Sequence, residues 1–273
     1  LEDSVILAEK DQARANIIEV LKAGGFTSAV SVRINNPDRE IGEKDLVVAK
    51  SISKTASLAL IIPKVESPES LAALCGQLRK IEMDIGRQPF SITLQVQIES
   101  ALGLTRVFEI AGSCKRIQAL VFGPGDFAAS LGMRVTNIGE RPQELDGLDP
   151  YYFPLMMILT AAKANGLYAI DGPFSDLKDE AGMAKSCLRS ATLGFDGKWA
   201  IHPSQIQIIE SMYSPSQEEF DRAISIADAL ESSENSGAIV IDGHMIDEAT
   251  RKLAQATIAR GIAAGRKRKK GTQ

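Results

Sequence analysis

Cysteine, histidine and aromatic residues are all scarce in this 273-residue chain: three Cys, two His, and 5% Phe, Trp and Tyr together. Cys75, Cys114 and Cys187 are odd in number and widely spaced. They fit no zinc pattern and read as reduced thiols in a reducing compartment, the cytoplasm. With so few aromatics, the core is built mainly from Ala, Leu, Ile and Val. No apolar run approaches the ~20 residues of a membrane span. The longest, 154–162, is interrupted by Thr160. No secretory signal is visible. Basic charge is not in excess: 31 Lys and Arg against 35 Asp and Glu leave a net charge of −4, which argues against a nucleic-acid partner. A G-x-G-x-x-G turn is absent as well, which weakens the case for a dinucleotide-binding doubly wound sheet. There is no initiating Met. Leu1-Glu2-Asp3-Ser4-Val5 reads as the end of a strand and predicts that residues precede it.

What is present is alternation. Short runs rich in Val and Ile stand at 27–34, 58–65, 92–98, 119–122, 167–170 and 194–201. Helical spacing fills 9–23, 67–85, 175–190, 203–212 and 216–232. The second of these helices starts with Ser67-Pro68-Glu69, an N-cap followed by Pro at the first helical position. Strands alternating with helices imply parallel pairing through crossovers. With the stub at Leu1 the strands number seven, and one more upstream would complete eight. The predicted fold is therefore an α/β, TIM-like (β/α)8 barrel whose first strand lies outside this chain. A doubly wound sheet is the rival. The barrel domain is expected over 1–212. Residues 213–273 carry a helix, a polar break at 231–237, a strand at 238–241 and a helix at 248–264, and read as an arm packed on the barrel or on a neighbouring subunit. The basic run 266–270 reads as a solvated tail, with an anionic partner as the alternative.

Active sites of such barrels lie at the C-terminal ends of the strands. Glu2, Asp3, Arg33, Lys64, Glu66, Glu99, Asp126, Asp171 and His202 all fall there. Most are acids, and a ring of carboxylates repels itself unless a cation sits among them. Glu99 and Asp126 directly follow successive strands, so their oxygens can converge. Hard oxygen ligands without a Cys or His pattern favour Mg²⁺ over zinc and leave positions open for water and a chelating substrate. The plainer role for each acid is to cap the next helix. Gly125, within Gly123-Pro124-Gly125-Asp126-Phe127, lets backbone N–H groups approach a bound anion. Arg33 suits bidentate capture of a substrate carboxylate, or an ion pair with Glu2 or Asp3. Lys64, among acids, reads as a paired ammonium rather than a Schiff-base lysine. His202, before Pro203, reads as a structural hydrogen-bonding residue. No Ser or Cys stands in a nucleophile elbow. A divalent metal, an arginine and a polar mouth suit α-keto-acid chemistry, in which a metal chelates the keto acid as a C–C bond breaks or forms.

These residues lie in stretches that resemble the citrate lyase β-subunit family, with its malyl-CoA and citramalyl-CoA lyases, in the wider HpcH/HpaI aldolase group. The matching stretches are LEDSV (1–5), SVRINNPD (31–38), LIIPKVESPESL (60–71), LQVQIESALGL (94–104), LVFGPGDFAASLG (120–132), AIDGPFSDLKDEAG (169–182), LGFDGKWAIHPSQI (193–206), SPSQEEFDRA (214–223) and DGHMIDEA (242–249). The family's LFVPG-like opening is not in this sequence. The resemblance implies a TIM-like barrel that cleaves a 3-hydroxyacyl thioester into an acyl thioester and an α-keto acid. It implies Mg²⁺ on Glu99 and Asp126, the keto acid on Arg33, and Glu2 and Asp3 beside them. Asp247 would be the acid/base lent to a neighbouring subunit, in a homotrimer or homohexamer. The segment holding His202 and Pro203 would receive the coenzyme A end of the thioester. Four alternatives stand: a free-standing lyase for citramalyl-CoA or malyl-CoA, a citrate lyase β-subunit served by an acyl-carrier protein, a thioesterase, and a non-catalytic binder. Glu99, Asp126, Arg33 and Asp247 argue against the last.

Overall fold

The computed structural model describes residues 1–51, 57–135, 137–140, 149–232, 238–241 and 243–268. The chain divides into two compact units, Leu1–Gln205 and Ile206–Gln273.

Among the described residues the first unit is built on six strands: β1 (Val30–Arg33), β2 (Leu58–Ile62), β3 (Ile92–Ile98), β4 (Ile117–Phe122), β5 (Tyr168–Asp171) and β6 (Gly197–Lys198). They lie side by side in chain order, every neighbouring pair parallel. A parallel pair needs a crossover, and the intervening segments supply helices. Leu58, Leu60 and Ile62 of β2 and Ile92, Leu94, Val96 and Ile98 of β3 are buried. In β3 they alternate with Thr93, Gln95 and Gln97, so one face of the strand is apolar and the other polar, whereas β2 is apolar throughout.

The strand count differs from expectation. Among the described residues Leu1–Val5 form no strand; Val5 N turns back onto Glu2 O, and Leu1 N donates to Arg33 O at 3.0 Å, on the free edge of β1. The last strand is shorter than its apolar run. Gly194 sits at φ +111° to end the preceding helix, and beyond Trp199 the Gln205 side chain captures Ile201 N.

The capping signals give the helix starts. Ser67 Oγ accepts from the backbone N–H groups of Glu69 and Ser70, opening helix Pro68–Asp84. Helix Glu180–Leu193 starts five residues later than the predicted 175. Asp179, not Ser175, is its cap, accepting from Gly182 N at 2.8 Å, while Ser175 N is bonded to Ile138 O. Two buried charges lie under the start of β3: Glu82 accepts both guanidinium nitrogens of Arg116 at 2.7 Å and also Ile92 N at 3.0 Å.

The expectation of three reduced thiols is corrected. Cys75 and Cys114 form a disulfide across a sequence separation of 39, and Cys187 alone is free and buried. Their spacing hides the pairing, because helix Pro68–Asp84 and the turn before β4 meet only in the fold. No helix among the described residues is long and apolar enough to cross a membrane.

The second unit holds helices Ile206–Tyr213, Gln217–Ser232 and Glu248–Ala263 and an antiparallel hairpin of β7 (Ala238–Ile241) and β8 (His244–Asp247). A Cβ at Gly261 would lie 2.2 Å from the Phe220 ring, so the two long helices approach closely where that glycine stands. The basic tail is less free than expected at its start: Arg266 Nε donates to Pro215 O at 3.0 Å and Arg268 pairs with Asp228. Lys269, Lys270 and residues 233–237 of the polar break lie outside the described residues.

Candidate active site

Parallel strands in chain order bring their C-terminal ends to one edge. Arg33 is the last residue of β1, Lys64 lies two past β2, Glu99 one past β3, Asp126 in the first turn of helix Pro124–Leu131 after β4, and Asp171 ends β5. The structure draws Glu2, Asp3, Arg33, Lys64, Glu99 and Asp126 together.

Glu99 is the innermost of these. It is 4% exposed, and its oxygens accept from Lys64 N (2.7 Å) and Gln97 Nε2 (2.9 Å). Burial, helped by the nearby charges of Asp126 and Glu2 against the Lys64 N–H bond, pushes its carboxyl up to about 7. A Cβ at Gly123 would lie 2.4 Å from Glu99, so the first glycine of the Gly-Pro-Gly stretch is required for fit. Gly125 is less constrained: the nearest atoms to its added Cβ belong to the Ile138 side chain, at 3.2 Å.

Lys64 adopts φ +52°, a left-handed backbone that non-glycine residues seldom take. Its Nζ lies 3.4 Å from Glu2, 3.4 Å from Asp3 and 3.6 Å from Asp126. Burial alone would lower its pKa, but Asp126, Glu2 and Asp3 raise it, so it is an ammonium. The paired-lysine expectation agrees with this geometry. Arg33 Nε lies 3.4 Å from Glu2, and its guanidinium covers the Trp199 ring at 5.7 Å. Asp171 is taken up elsewhere: its carboxylate holds buried Lys198 at 2.7 Å and Gly172 N at 2.8 Å. His202 Nδ1 meets Ser204 Oγ at 2.9 Å and Ser204 N at 3.2 Å, the structural hydrogen bonding expected of it. Pro203 starts the exposed turn Pro203–Gln205.

Asp247 lies in the second unit, as N-cap of helix Glu248–Ala263. Its Oδ1 accepts from Thr250 N (3.0 Å) and Thr250 Oγ1 (3.1 Å), and these bonds hold its carboxyl below the usual range.

Three contributions were missed in the sequence: Gln97, Trp199 and the Lys64 backbone amide. Gln97 left a trace, being a polar residue in an otherwise apolar strand end. Trp199 left none, because its contact with Arg33 joins opposite ends of the sheet.

The donor set suits a hard divalent cation. All its ligand atoms are oxygens, and two acids are held by neutral amides or left half-exposed. Gln97 Oε1, buried beside Glu99, has no hydrogen-bond donor among the described residues. No group of three or more His, Cys, Asp or Glu side chains among those residues is placed to hold a metal ion. Any cation here would keep open positions.

Known proteins place this edge in context. Residues 1–203 match the family model described as HpcH/HpaI aldolase/citrate lyase. The chain is 36% identical over 269 residues to an L-malyl-CoA/beta-methylmalyl-CoA lyase of Rhodobacter capsulatus, covering 94% of this chain and 84% of that one. It is 32% identical to the citrate lyase subunit beta of Escherichia coli K12, covering 97% and 85%. Its fold matches that of the protein CitE of Mycobacterium tuberculosis, solved with magnesium, acetoacetate and coenzyme A, with a TM-score of 0.73 and 27% identity over 95% of this chain and 87% of that one. The chain belongs to the HpcH/HpaI aldolase/citrate lyase family.

Proposed function

We propose that this protein is a Mg²⁺-dependent carbon–carbon lyase that splits a 3-hydroxyacyl-CoA of the malyl-CoA or citramalyl-CoA class into an acyl-CoA and an α-keto acid. The observation that carries this reading is the grouping of Glu2, Asp3 and Asp126 around the Lys64 ammonium, with Glu99 on the Lys64 amide and Arg33 on Glu2, at one edge of the sheet. The malyl-CoA lyase relative supports the substrate class, and the magnesium, acetoacetate and coenzyme A of the tuberculosis protein support the cofactor and the thioester.

Glu99 and Asp126 would hold the metal, which polarises the keto oxygen and steadies negative charge there. Arg33, braced by Trp199 and Glu2, binds the carboxylate of the keto-acid half. A base takes the 3-hydroxyl proton; the O–H pair becomes the new C=O, the C2–C3 bond breaks, and its electrons pass to the thioester as an enolate. Asp247, from a second copy of the chain, handles the proton at that carbon: as a carboxylate it takes it in condensation, and in cleavage it returns the proton once it has been protonated. Condensation reverses each step. Gly125 and Pro203 line the substrate path in this reading, and Asp3 acts with Glu2 beside the metal.

The same reading includes closure of the sheet into a (β/α)8 barrel, for which β1 offers a free edge beside Leu1. It also includes a trimer or hexamer completed by the arm 213–273, and a cytoplasmic location. One observation favours a second reading: the 32% identical Escherichia coli relative is a citrate lyase subunit beta, which would make the thioester a citryl-acyl-carrier protein. A Mg²⁺-dependent assay over pyruvate, glyoxylate and oxaloacetate with acetyl-CoA, propionyl-CoA and the matching carrier protein decides between them. Condensation with a free CoA thioester is the expected result. Turnover only on the carrier protein selects the second reading, and free acid plus CoA as sole products would mean hydrolysis and reject both.

A further inference from the structure

Among the described residues, Lys64 is the one cation inside the acidic cluster that the lyase chemistry above leaves unused. Its ammonium touches three carboxylates, none closer than 3.4 Å. Charge-assisted N–H···O bonds close to about 2.7–2.9 Å when they are built to last. Lys198 shows the difference within the same unit: its Nζ sits 2.7 Å from Asp171, and both side chains are fully buried. The Lys64 side chain is instead 40% exposed and shares itself among Glu2, Asp3 and Asp126. A cation so placed neutralises a group of acids without committing to any of them. Meanwhile the backbone amide of the same residue is committed, at 2.7 Å, to the neighbouring Glu99.

We infer that Lys64 is a tethered rival of the divalent metal: its ammonium shares Asp126 while the metal is absent, and yields it when the metal binds. This inference rests on the proposed assignment of Glu99 and Asp126 as metal ligands. Glu99 offers the metal oxygens already fixed by amides. Asp126 must first give up part of an ion pair. Glu2 and Asp3 then keep the displaced ammonium within the cluster. The left-handed backbone at residue 64 is what lets one residue orient one ligand and occupy the other. Metal affinity is thereby held below what the two carboxylates alone would give. The acids also stay neutralised between metal-binding events, so the mouth does not spread by self-repulsion.

The test is isothermal titration of Mg²⁺ into the substrate-free full chain, for the wild type and for Lys64→Met, Lys64→Gln and Lys64→Arg. All four keep the backbone N–H that orients Glu99. Removing the charge should tighten Mg²⁺ binding about tenfold in the Met and Gln variants, since neither the Asp126 ion contact nor the adjacent positive charge then opposes it. Lys64→Arg should stay within about twofold of the wild type. Unchanged or weaker binding in a folded Met or Gln variant overturns the rivalry, as does equal tightening in Lys64→Arg. A side chain needed merely for structure would weaken binding in all three variants. Mg²⁺ binding by the wild type with no effect of Lys64→Met or Lys64→Gln overturns this inference alone. Failure of the wild type to bind Mg²⁺ overturns the metal assignment and this inference with it.

Discussion

Glu82 and Glu99 lie at opposite ends of β3 and are almost equally buried, 0% and 4% exposed. They have opposite fates. Glu82 receives both arms of Arg116 and the Ile92 backbone amide. Burial works to raise its pKa, but the Arg116 bonds and the backbone donors prevail and hold it at about 2. Among the described residues Glu99 receives two neutral amide donors; burial, with the charges of Asp126 and Glu2, outweighs the Lys64 amide and the Lys64 charge, and it rises to about 7. A carboxylate that the fold has satisfied belongs to the scaffold. One that the fold has buried and left short of positive charge is a candidate functional group, in keeping with the metal-ligand role proposed for Glu99. The charges at the N-terminal end of the strand are paired within the scaffold, and the carboxylate at its C-terminal end is left for the proposed chemistry.

The comparison breaks most visibly at Glu99. Glu99→Gln should lower turnover by on the order of 10³-fold or more, because a metal ligand that steadies developing charge is gone. Mg²⁺ titration should show lost or greatly weakened binding. In the metal-free protein the same variant should melt no lower than the wild type, since it removes a buried and poorly compensated charge. A clear fall in Tm would assign Glu99 to the scaffold after all.

Asp247 extends the contrast to a third acid, one with a cap to maintain as well as a proposed proton to move. Asn is as good an N-cap as Asp. Asp247→Asn should therefore keep the hydrogen bond to Thr250 N and the fold while cutting turnover by about 10²–10⁴-fold. Mg²⁺ and keto-acid binding should persist. Normal turnover would confine Asp247 to its capping role.

At the scaffold end the signs reverse. Glu82→Gln leaves the Arg116 guanidinium, 1% exposed, without its counter-charge. Stability should fall by about 3–5 kcal/mol, the usual cost of halving a buried pair. Mg²⁺ affinity of the folded fraction should stay at the wild-type value. Urea unfolding reads the first and calorimetry the second. A weakened metal site would mean that the two ends of β3 are coupled.

How much of this contrast was legible beforehand depends on how local each cause is. The β2 and β3 runs, the Ser67 cap and the β7 strand at 238–241 are written in neighbouring residues, and the sequence places them within a few positions. Glu99 and Asp126 were visible because strand ends can be read one at a time. The Cys75–Cys114 bond, the late start at Glu180 and the Trp199 platform under Arg33 were not. Each depends on segments that meet only after the sheet is laid down. Lys64 was half legible: the paired ammonium follows from its acidic neighbours, but a backbone amide turned onto Glu99 needs a φ that no residue type announces.

The smallest expected effect is also the one that sets the two glutamates against each other in a single measurement. In metal-free protein, Glu99 binds its proton more tightly folded than unfolded, with a folded pKa of about 7 against an ordinary 4.5. As pH falls from about 7 to 4.5 the folded state takes up a proton that the unfolded chain does not, so stability rises. Glu82 does the reverse. Its folded pKa is about 2, so its contribution is complete above 4.5 and is lost as pH falls from there toward 2. Urea stability measured against pH should thus pass through a maximum near 4.5. Glu99→Gln should flatten the limb above the maximum, and Glu82→Gln the limb below it. Saturating Mg²⁺ should also remove the upper limb, because a bound cation keeps Glu99 ionised, and should leave the lower limb in place. An upper limb that survives both Glu99→Gln and Mg²⁺ would mean that the unsatisfied charge at this end of the strand resides on another acid.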